Sequence, residues 1–159
     1  MRLKYIAALS MVALLSACAH EKANTGDSSG ASTAMQPSGP VPGSEEDLVA
    51  TAGDRVLFPL NKSGLTSDAQ ATLEKQAAWL AKYPQVNVEV AGNCDDRGTE
   101  EYNIALGQRR ANAARDYLVA KGVASSRIST ISYGKDRPTA EGDDESAWAQ
   151  NRNAITAVH

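Results

Sequence analysis

The chain contains 159 residues, which is enough for one compact domain and little more. Its 16 Lys and Arg residues against 19 Asp and Glu residues give a formal net charge of −3. If a leader holding Arg2 and Lys4 is removed, 14 basic residues remain against 19 acidic ones, a net charge of −5. This acidic balance argues against nucleic-acid binding, which requires a basic patch.

Residues 1–17 predict a secretory signal peptide. Arg2 and Lys4 precede a mostly apolar run over residues 5–15, and small residues follow it. The run is shorter than the roughly 20 apolar residues that span a bilayer. We therefore expect export of the chain rather than a permanent membrane helix.

The sequence Leu15-Ser16-Ala17-Cys18 resembles the bacterial lipobox. The resemblance implies cleavage before Cys18 and a diacylglycerol on its sulfur, usually with an N-acyl chain. Two or three such chains hold a protein on a membrane for long times. Ala19, rather than Asp, resembles lipoproteins sent to the outer membrane, so we expect an outer-membrane anchor with the domain facing the periplasm. The alternative is an ordinary signal peptide cut beside Ala17 or Ala19, which leaves Cys18 as a free thiol.

Residues 18–47 are expected to be the lipidated N-terminus and a disordered tether. From Ala19 to about Asp47 the chain is rich in Ser, Thr, Gly, Ala and Pro, contains no aromatic residue and has no sustained helical or strand period. A flexible segment of about 30 residues spans about 30 Å on average. The tether would let a domain over residues 48–159 leave the membrane surface.

The domain opens with a predicted strand and a predicted helix. Residues 56–58 (VLF) favour a strand, and residues 67–70 (SDAQ) form a capping-box pattern that begins a helix. Tyr83-Pro84 ends that helix. Its apolar positions fall on one face: Ala69, Leu73, Ala77 and Leu80.

A second strand and a long second helix are predicted next. Residues 86–90 alternate between apolar and polar, as in a strand with one buried face, and a polar turn is expected over residues 93–98. Thr99 is a suitable N-cap, and Gly122 suits the position just after the helix. The helix between them is about 22 residues long.

Two more strands are predicted over residues 128–133 and 154–158, with a short helix around residues 145–150. The expected order is β-α-β-α-β-(α)-β. Strands alternating with helices form a sheet covered by helices. We predict a two-layer α/β sandwich preceded by the disordered tether.

Three segments resemble the OmpA-like peptidoglycan-binding domain family: residues 92–112 (GNCDDRGTEEYNIALGQRRAN), 131–138 (ISYGKDRP) and 148–152 (WAQNR). The resemblance extends from about residue 54 to the end. It implies that the domain binds meso-diaminopimelate of uncrosslinked peptide stems, without catalysis or a cofactor, and so ties the outer membrane to the wall. It also implies partners in the Tol system during cell division, with TolB first and TolA as a second candidate.

The resemblance puts the ligand's ammonium on Asp95 and its carboxylate on Arg110. The free end of diaminopimelate is a zwitterion, so a site for it needs a carboxylate and a guanidinium or N–H array. Asn103, Leu106 and Arg110 lie at i, i+3 and i+7 on one helix face, beside the loop that carries Asp95. We expect one cleft between loop and helix.

The expected site also includes Phe58, Asn61 and Arg97, of which Arg97 has a loop salt bridge as its alternative role. The chain departs from the family pattern at four positions. Asn61 and Pro59 stand where Asp is frequent, Asn153 replaces an Arg, and Asn93 replaces a frequent His. The first three put the ligand's affinity in question.

Cys94 has a nucleophilic and a structural interpretation. If Cys18 is acylated, Cys94 has no partner for an internal disulfide. A reactive thiolate needs a base or an electropositive setting, and the two histidines are His20, beside the anchor, and His159, at the end. A buried structural thiol is favoured.

Two other functions stay open. The acids Asp95, Asp96, Glu100 and Glu101 could form the carboxylate pair of a muramidase-like hydrolase, although acids at a helix start more often serve capping and the helix dipole. The domain could also act chiefly as a protein-interaction hub. Trp79 and Trp148 receive no role from the sequence.

Overall fold

The computed structural model describes residues 39–159. The expected signal peptide, the lipidation site Cys18 and most of the expected tether lie outside these residues. The helices and strands of this part are α1 (Glu45–Thr51), β1 (Arg55–Leu57), α2 (Ser67–Lys82), β2 (Val88–Asn93), α3 (Glu100–Ala120), β3 (Ile128–Gly134), α4 (Glu145–Asn151) and β4 (Asn153–Val158), with a 3₁₀ turn at Ser125–Arg127.

The strands form one sheet in the order β1-β4-β2-β3. β2 pairs with β3 in parallel, and β4 runs antiparallel to both β1 and β2. Val88 and Val90 of β2 are buried against leucines of α2 and α3, whereas Glu89 between them is half-buried. Helices therefore cover the face that carries the alternate apolar residues, and the predicted two-layer α/β fold is confirmed.

The helix α3 matches its prediction. Thr99 is the N-cap, and its hydroxyl accepts a hydrogen bond from the backbone N–H of Tyr102 at 3.3 Å. Gly122 has φ = +100°, the left-handed conformation that follows many helices and that glycine adopts without steric cost. The helix begins and ends where capping chemistry in the sequence says it should.

The start of α2 differs from the prediction by one residue. The cap is Thr66, whose hydroxyl accepts from the backbone N–H of Ala69 at 3.2 Å. The side chain of Gln70 donates to the carbonyl of Leu65 rather than to the cap residue, so the predicted capping box does not form. Thr and Ser cap almost equally well, and residue type alone could not separate these neighbours.

β2 begins and ends later in the sequence than the predicted strand over residues 86–90. It begins at Val88 because the carbonyl of Val86 accepts hydrogen bonds from the Arg127 side chain, at 2.7 and 2.9 Å, instead of pairing in the sheet. It ends at Asn93, which pairs with Gly134 of β3 after a register shift. The expected turn therefore begins at Cys94, one residue later than predicted.

The helix α1 was not predicted, and it moves the expected domain boundary from residue 48 to before Glu45. Ser44 caps the helix, and Leu48 is fully buried. The carboxylate of Asp47 accepts from the backbone N–H of Gly43 at 2.8 Å and from Nε1 of Trp79 at 3.0 Å. The end of the expected tether is thus part of the packed domain.

No helix within residues 39–159 has the length and apolar character needed to cross a bilayer.

A glycine pair brings α3 against the sheet. A Cβ atom added to Gly92 of β2 would lie 1.8 Å from the carbonyl oxygen of Gly107 in α3, and one added to Gly107 would lie 2.3 Å from Oγ of Ser132. Only glycine allows the two backbones to approach this closely. The contact fixes the N-terminal half of α3 beside the end of β2.

We predict that Gly92→Ala lowers the free energy of unfolding by about 3 kcal/mol, because its methyl group would overlap backbone that cannot move without shifting α3. Urea unfolding monitored by circular dichroism measures the change. Gly64→Ala is the matched control, since a Cβ at Gly64 meets nothing within 4 Å. Equal stability of the two variants would contradict the tight contact.

Candidate ligand-binding cleft

Asp95 lies in the loop that follows β2, with its side chain only 7% exposed. Its oxygen Oδ2 accepts from Nη2 of Arg97 at 2.5 Å and from Nη1 of Arg152 at 3.2 Å. Burial alone would raise the pKa of Asp95, but these two hydrogen bonds outweigh burial and hold the pKa below its ordinary value. Asp95 is therefore a fixed anion.

Arg152, for which the sequence predicted no role, fixes the position of Asp95. Its guanidinium donates to the carbonyl of Phe58 at 3.2 Å, to Asp95, and to Oε1 of Glu145 at 2.6 Å. It thereby joins the end of β1, the loop after β2, and α4. Arg152 and Asp95 are 57 residues apart in sequence, and the one signal available was the position of Arg152 in the third family segment.

Arg110 is fully buried in α3, at 0% exposure. Its guanidinium donates to the carbonyls of Lys62 at 2.9 Å, Asn93 at 2.7 Å and Pro59 at 3.3 Å, and to Sγ of Cys94 at 3.4 Å. These four bonds leave one of its five N–H groups without a partner among residues 39–159.

The charge of Arg110 is not paired with a carboxylate in the part of the chain that the structure describes. Within residues 39–159 no Asp or Glu oxygen lies within 4.0 Å of its guanidinium. Burial lowers the pKa of Arg110, yet an arginine in a protein stays protonated. Buried charges normally carry a partner, and here three carbonyl oxygens and the Cys94 sulfur surround the charge instead.

The two groups line one small cleft, whose interior is too narrow to hold a water molecule in this structure. Five of the predicted residues meet there, and three further residues that the sequence did not predict complete the lining. The wall consists of Leu60, Asn61, Cys94, Asp95, Asn103, Leu106, Arg110 and Arg152.

Phe58 and Arg97 do not line the cleft. The ring of Phe58 lies under the guanidinium of Arg110, 5.3 Å from its centroid, and supports that side chain from behind. Arg97 forms the loop salt bridge to Asp95 that was its alternative role, and its guanidinium stacks on Trp148 at 4.1 Å. Both residues act on the cleft through a neighbour in this structure.

Asn61 has φ = +55°, which Asn tolerates better than most residues. Its Oδ1 accepts from the hydroxyl of Tyr102 at 3.4 Å. Asn103 is buried, and its amide donates to the carbonyl of Arg97 at 2.9 Å, which orders the loop between Asp95 and α3. With Asn61 in place of a frequent Asp, the cleft lining contains one carboxylate, that of Asp95.

Two of the departures from the family pattern contact each other. The amide of Asn93 donates to Oδ1 of Asn153 at 2.8 Å, and the amide of Asn153 donates to Oγ1 of Thr139 at 2.8 Å. Both asparagines are buried and neither lines the cleft. The pair is structural. At the third departure, Pro59 supplies a carbonyl to Arg110 where a side-chain carboxylate was expected.

The structure supports a structural role for Cys94. Its side chain is buried between Arg110 and the carbonyl of Asn103, to which Sγ donates at 3.4 Å. Burial raises the pKa of the thiol, and the attraction of Arg110 does not overcome this effect. The thiol forms part of the cleft lining.

Among residues 39–159 no three His, Cys, Asp or Glu side chains are grouped as metal ligands.

The chain belongs to the OmpA family, because the model of that family matches residues 57–152, more than half of the chain. Its relatives include peptidoglycan-associated lipoproteins. The chain is 47% identical over 151 residues to the one from Rhizobium meliloti (strain 1021), covering 95% of this chain and 85% of that protein. It is 56% identical over 117 residues to the one from Mesorhizobium japonicum, covering 74% and 70%.

Solved structures with a similar fold support this family assignment. The crystal structure of the peptidoglycan-associated lipoprotein from Burkholderia pseudomallei matches with a TM-score of 0.65 and 40% identity, covering 67% of this chain and 90% of that chain. The C-terminal domain of Helicobacter pylori MotB matches with a TM-score of 0.62 at 24% identity, covering 67% and 84%, which shows a shared fold. The family resemblance read from the sequence segments is confirmed.

We predict that Asp95→Asn destabilises the domain by about 2 kcal/mol at pH 7, because a buried carboxylate that serves two arginines is lost. The native pKa of Asp95 lies below the ordinary 3.8, so its contribution is complete above that value and is lost as the pH falls through the native pKa. The difference in unfolding free energy between variant and wild type should therefore shrink below pH 3.8. Urea unfolding at several pH values measures it, with exposed Asp96→Asn as control. A difference independent of pH would contradict the assignment.

Proposed function

We propose that this chain is an outer-membrane lipoprotein, anchored through Cys18, whose domain binds peptidoglycan noncovalently. The ligand is the free end of meso-diaminopimelate in uncrosslinked peptide stems. Family membership and relatives named peptidoglycan-associated lipoproteins support the class of function. The cleft supports the ligand's chemistry.

The observation that carries the proposal is a buried, unpaired arginine in the same small cleft as a fixed carboxylate. The free end of diaminopimelate bears a carboxylate and an ammonium on one carbon atom. Arg110 has one N–H and a full charge to offer the carboxylate, and Asp95 faces the ammonium. The cleft is too narrow for a water molecule in this structure, so entry of the proposed ligand requires its lining side chains to move apart.

Binding without catalysis fits the carboxylates better than hydrolysis does. A glycoside hydrolase needs one carboxylic acid whose pKa is raised so that it can donate a proton. The pKa of Asp95 is lowered instead. Asp96, Glu100 and Glu101 are exposed at or near the start of α3, where their negative charge interacts favourably with the helix dipole. The cleft thus holds a permanent anion where a hydrolase would hold an acid.

The proposed wider role is to connect the outer membrane to the cell wall, because the two ends of the protein would bind these two layers. Acyl chains on Cys18 would hold the outer membrane, and the domain would hold the wall, with the expected tether between them. We further propose partners in the Tol system, TolB and, as a second candidate, TolA, with a role in envelope integrity and cell division. That part rests on family membership.

A sacculus pulldown with the purified full-length mature protein tests the proposal. Asp95→Asn and Arg110→Lys should each reduce retention about tenfold or more, since each removes charge-assisted hydrogen bonds worth about 1.5–3 kcal/mol. Lysine keeps the charge of Arg110 and loses its fork of donors. Circular dichroism verifies that each variant is folded.

Asp96→Asn and Arg115→Gln are matched controls, because each removes an exposed or half-exposed charge outside the cleft. Walls whose stems carry lysine in place of diaminopimelate should retain the wild type poorly, since they lack the carboxylate for Arg110. Equal retention of all variants on both walls would reject the site. Soluble muropeptides released into the supernatant would instead support a hydrolase.

A further inference from the structure

Two arginines already occupy the carboxylate that the proposed ligand's ammonium needs. Arg97 and Arg152 both donate to Oδ2 of Asp95, at 2.5 and 3.2 Å. A ligand ammonium would be the third cation on one carboxylate. Like charges this close repel in a site that excludes water, so an ammonium that binds Oδ2 would require one arginine to leave.

The two arginines are held very differently. Arg152 has a side chain 8% exposed, and its guanidinium is bound to Asp95, to Glu145 and to the backbone of Phe58. Arg97 has a side chain 36% exposed, and its Nε has no hydrogen-bond partner within the described part of the chain. Of the pair, Arg97 is the one that can leave at low cost.

A second position for Arg97 is already in place. Its guanidinium lies 4.1 Å from the ring centroid of Trp148, and its Nη1 lies 3.8 Å from Oε2 of Glu145. Sliding along the ring toward Glu145 would exchange one carboxylate for another while the cation–π contact is kept. The exchange keeps the charge of Arg97 paired throughout.

We propose that Arg97 is an internal competitor for the ligand's ammonium, which leaves Asp95 for Glu145 when the ligand enters. This inference rests on the function proposed above and adds the step that opens the cleft. It makes Arg97 a positioning residue that sets affinity from outside the cleft. Its removal should strengthen binding, whereas removal of a ligand contact would weaken it.

Calorimetric titration of the full-length mature protein with a soluble stem tetrapeptide containing meso-diaminopimelate tests the sign. Arg97→Gln should bind about two- to fivefold more tightly, the range expected for losing a partly exposed ion pair. Arg97→Lys restores a competing cation and should return the affinity toward wild type. Arg115→Gln is the matched control: its side chain is 35% exposed, against 36% for Arg97, and it pairs with Asp116 away from the cleft.

Unchanged or weaker binding by Arg97→Gln would overturn the inference, and would be the result if the ammonium uses Oδ1 of Asp95 with Arg97 still in place. Asp95→Asn in the same titration separates the two claims. If it binds like wild type, the assignment of the ammonium to Asp95 and the competitor role both fail, whereas absence of binding by the wild type itself would reject the proposed function. If it loses binding while Arg97→Gln gains none, only the competitor role fails.

Tryptophan fluorescence supplies a readout that a purely structural role would not affect. Ligand saturation should change the emission of Trp148 in the wild type, because the guanidinium above its ring moves. The change should be absent in Trp148→Phe and reduced in Arg97→Gln, where no guanidinium can move. An equal emission change in wild type and Arg97→Gln would also overturn the proposal.

Discussion

The guanidinium of Arg110 joins the parts from which the cleft is made. It binds the carbonyls of Pro59 and Lys62 after β1 and that of Asn93 at the end of β2, and the ring of Phe58 supports it. Burying this charge without a carboxylate is unfavourable, and the carbonyl hydrogen bonds offset only part of the cost. An anion from outside would complete the arrangement.

That geometry depends on the contact between Gly92 and Gly107. A larger residue at either position would lift α3 from the sheet and carry Asn103, Leu106 and Arg110 away from Asp95. Arg152 plays the corresponding part for the loop, since it holds Asp95 against the end of β1 and α4. The packing of Gly92 against Gly107 thus positions Arg110, and the buried ion pair with Arg152 positions Asp95.

The features that could be predicted from the sequence are those set by neighbouring residues or contained in the family-like segments. The periodicity of α2 and the caps of α3 lie within single helices, so they could be recognised. The helix α1 could not, because its seven residues depend on a bond between Asp47 and Trp79, 32 positions apart. The role of Arg152 was missed for the same reason, because it depends on a contact with Asp95, 57 residues away. The salt bridge of Arg97 to Asp95 is local, two residues apart, and was one of its two predicted roles.

We propose that Arg110 and Asp95 receive the two charges of one zwitterion. The most direct measurement is a nuclear magnetic resonance titration of the mature protein with a soluble stem peptide bearing meso-diaminopimelate. The Nε–H signal of Arg110 and the side-chain carboxyl signal of Asp95 should shift together along one saturation curve, while the Nε–H signal of Arg115 stays fixed. Saturation without a shift at Arg110 and Asp95 would place the ligand elsewhere and contradict the account.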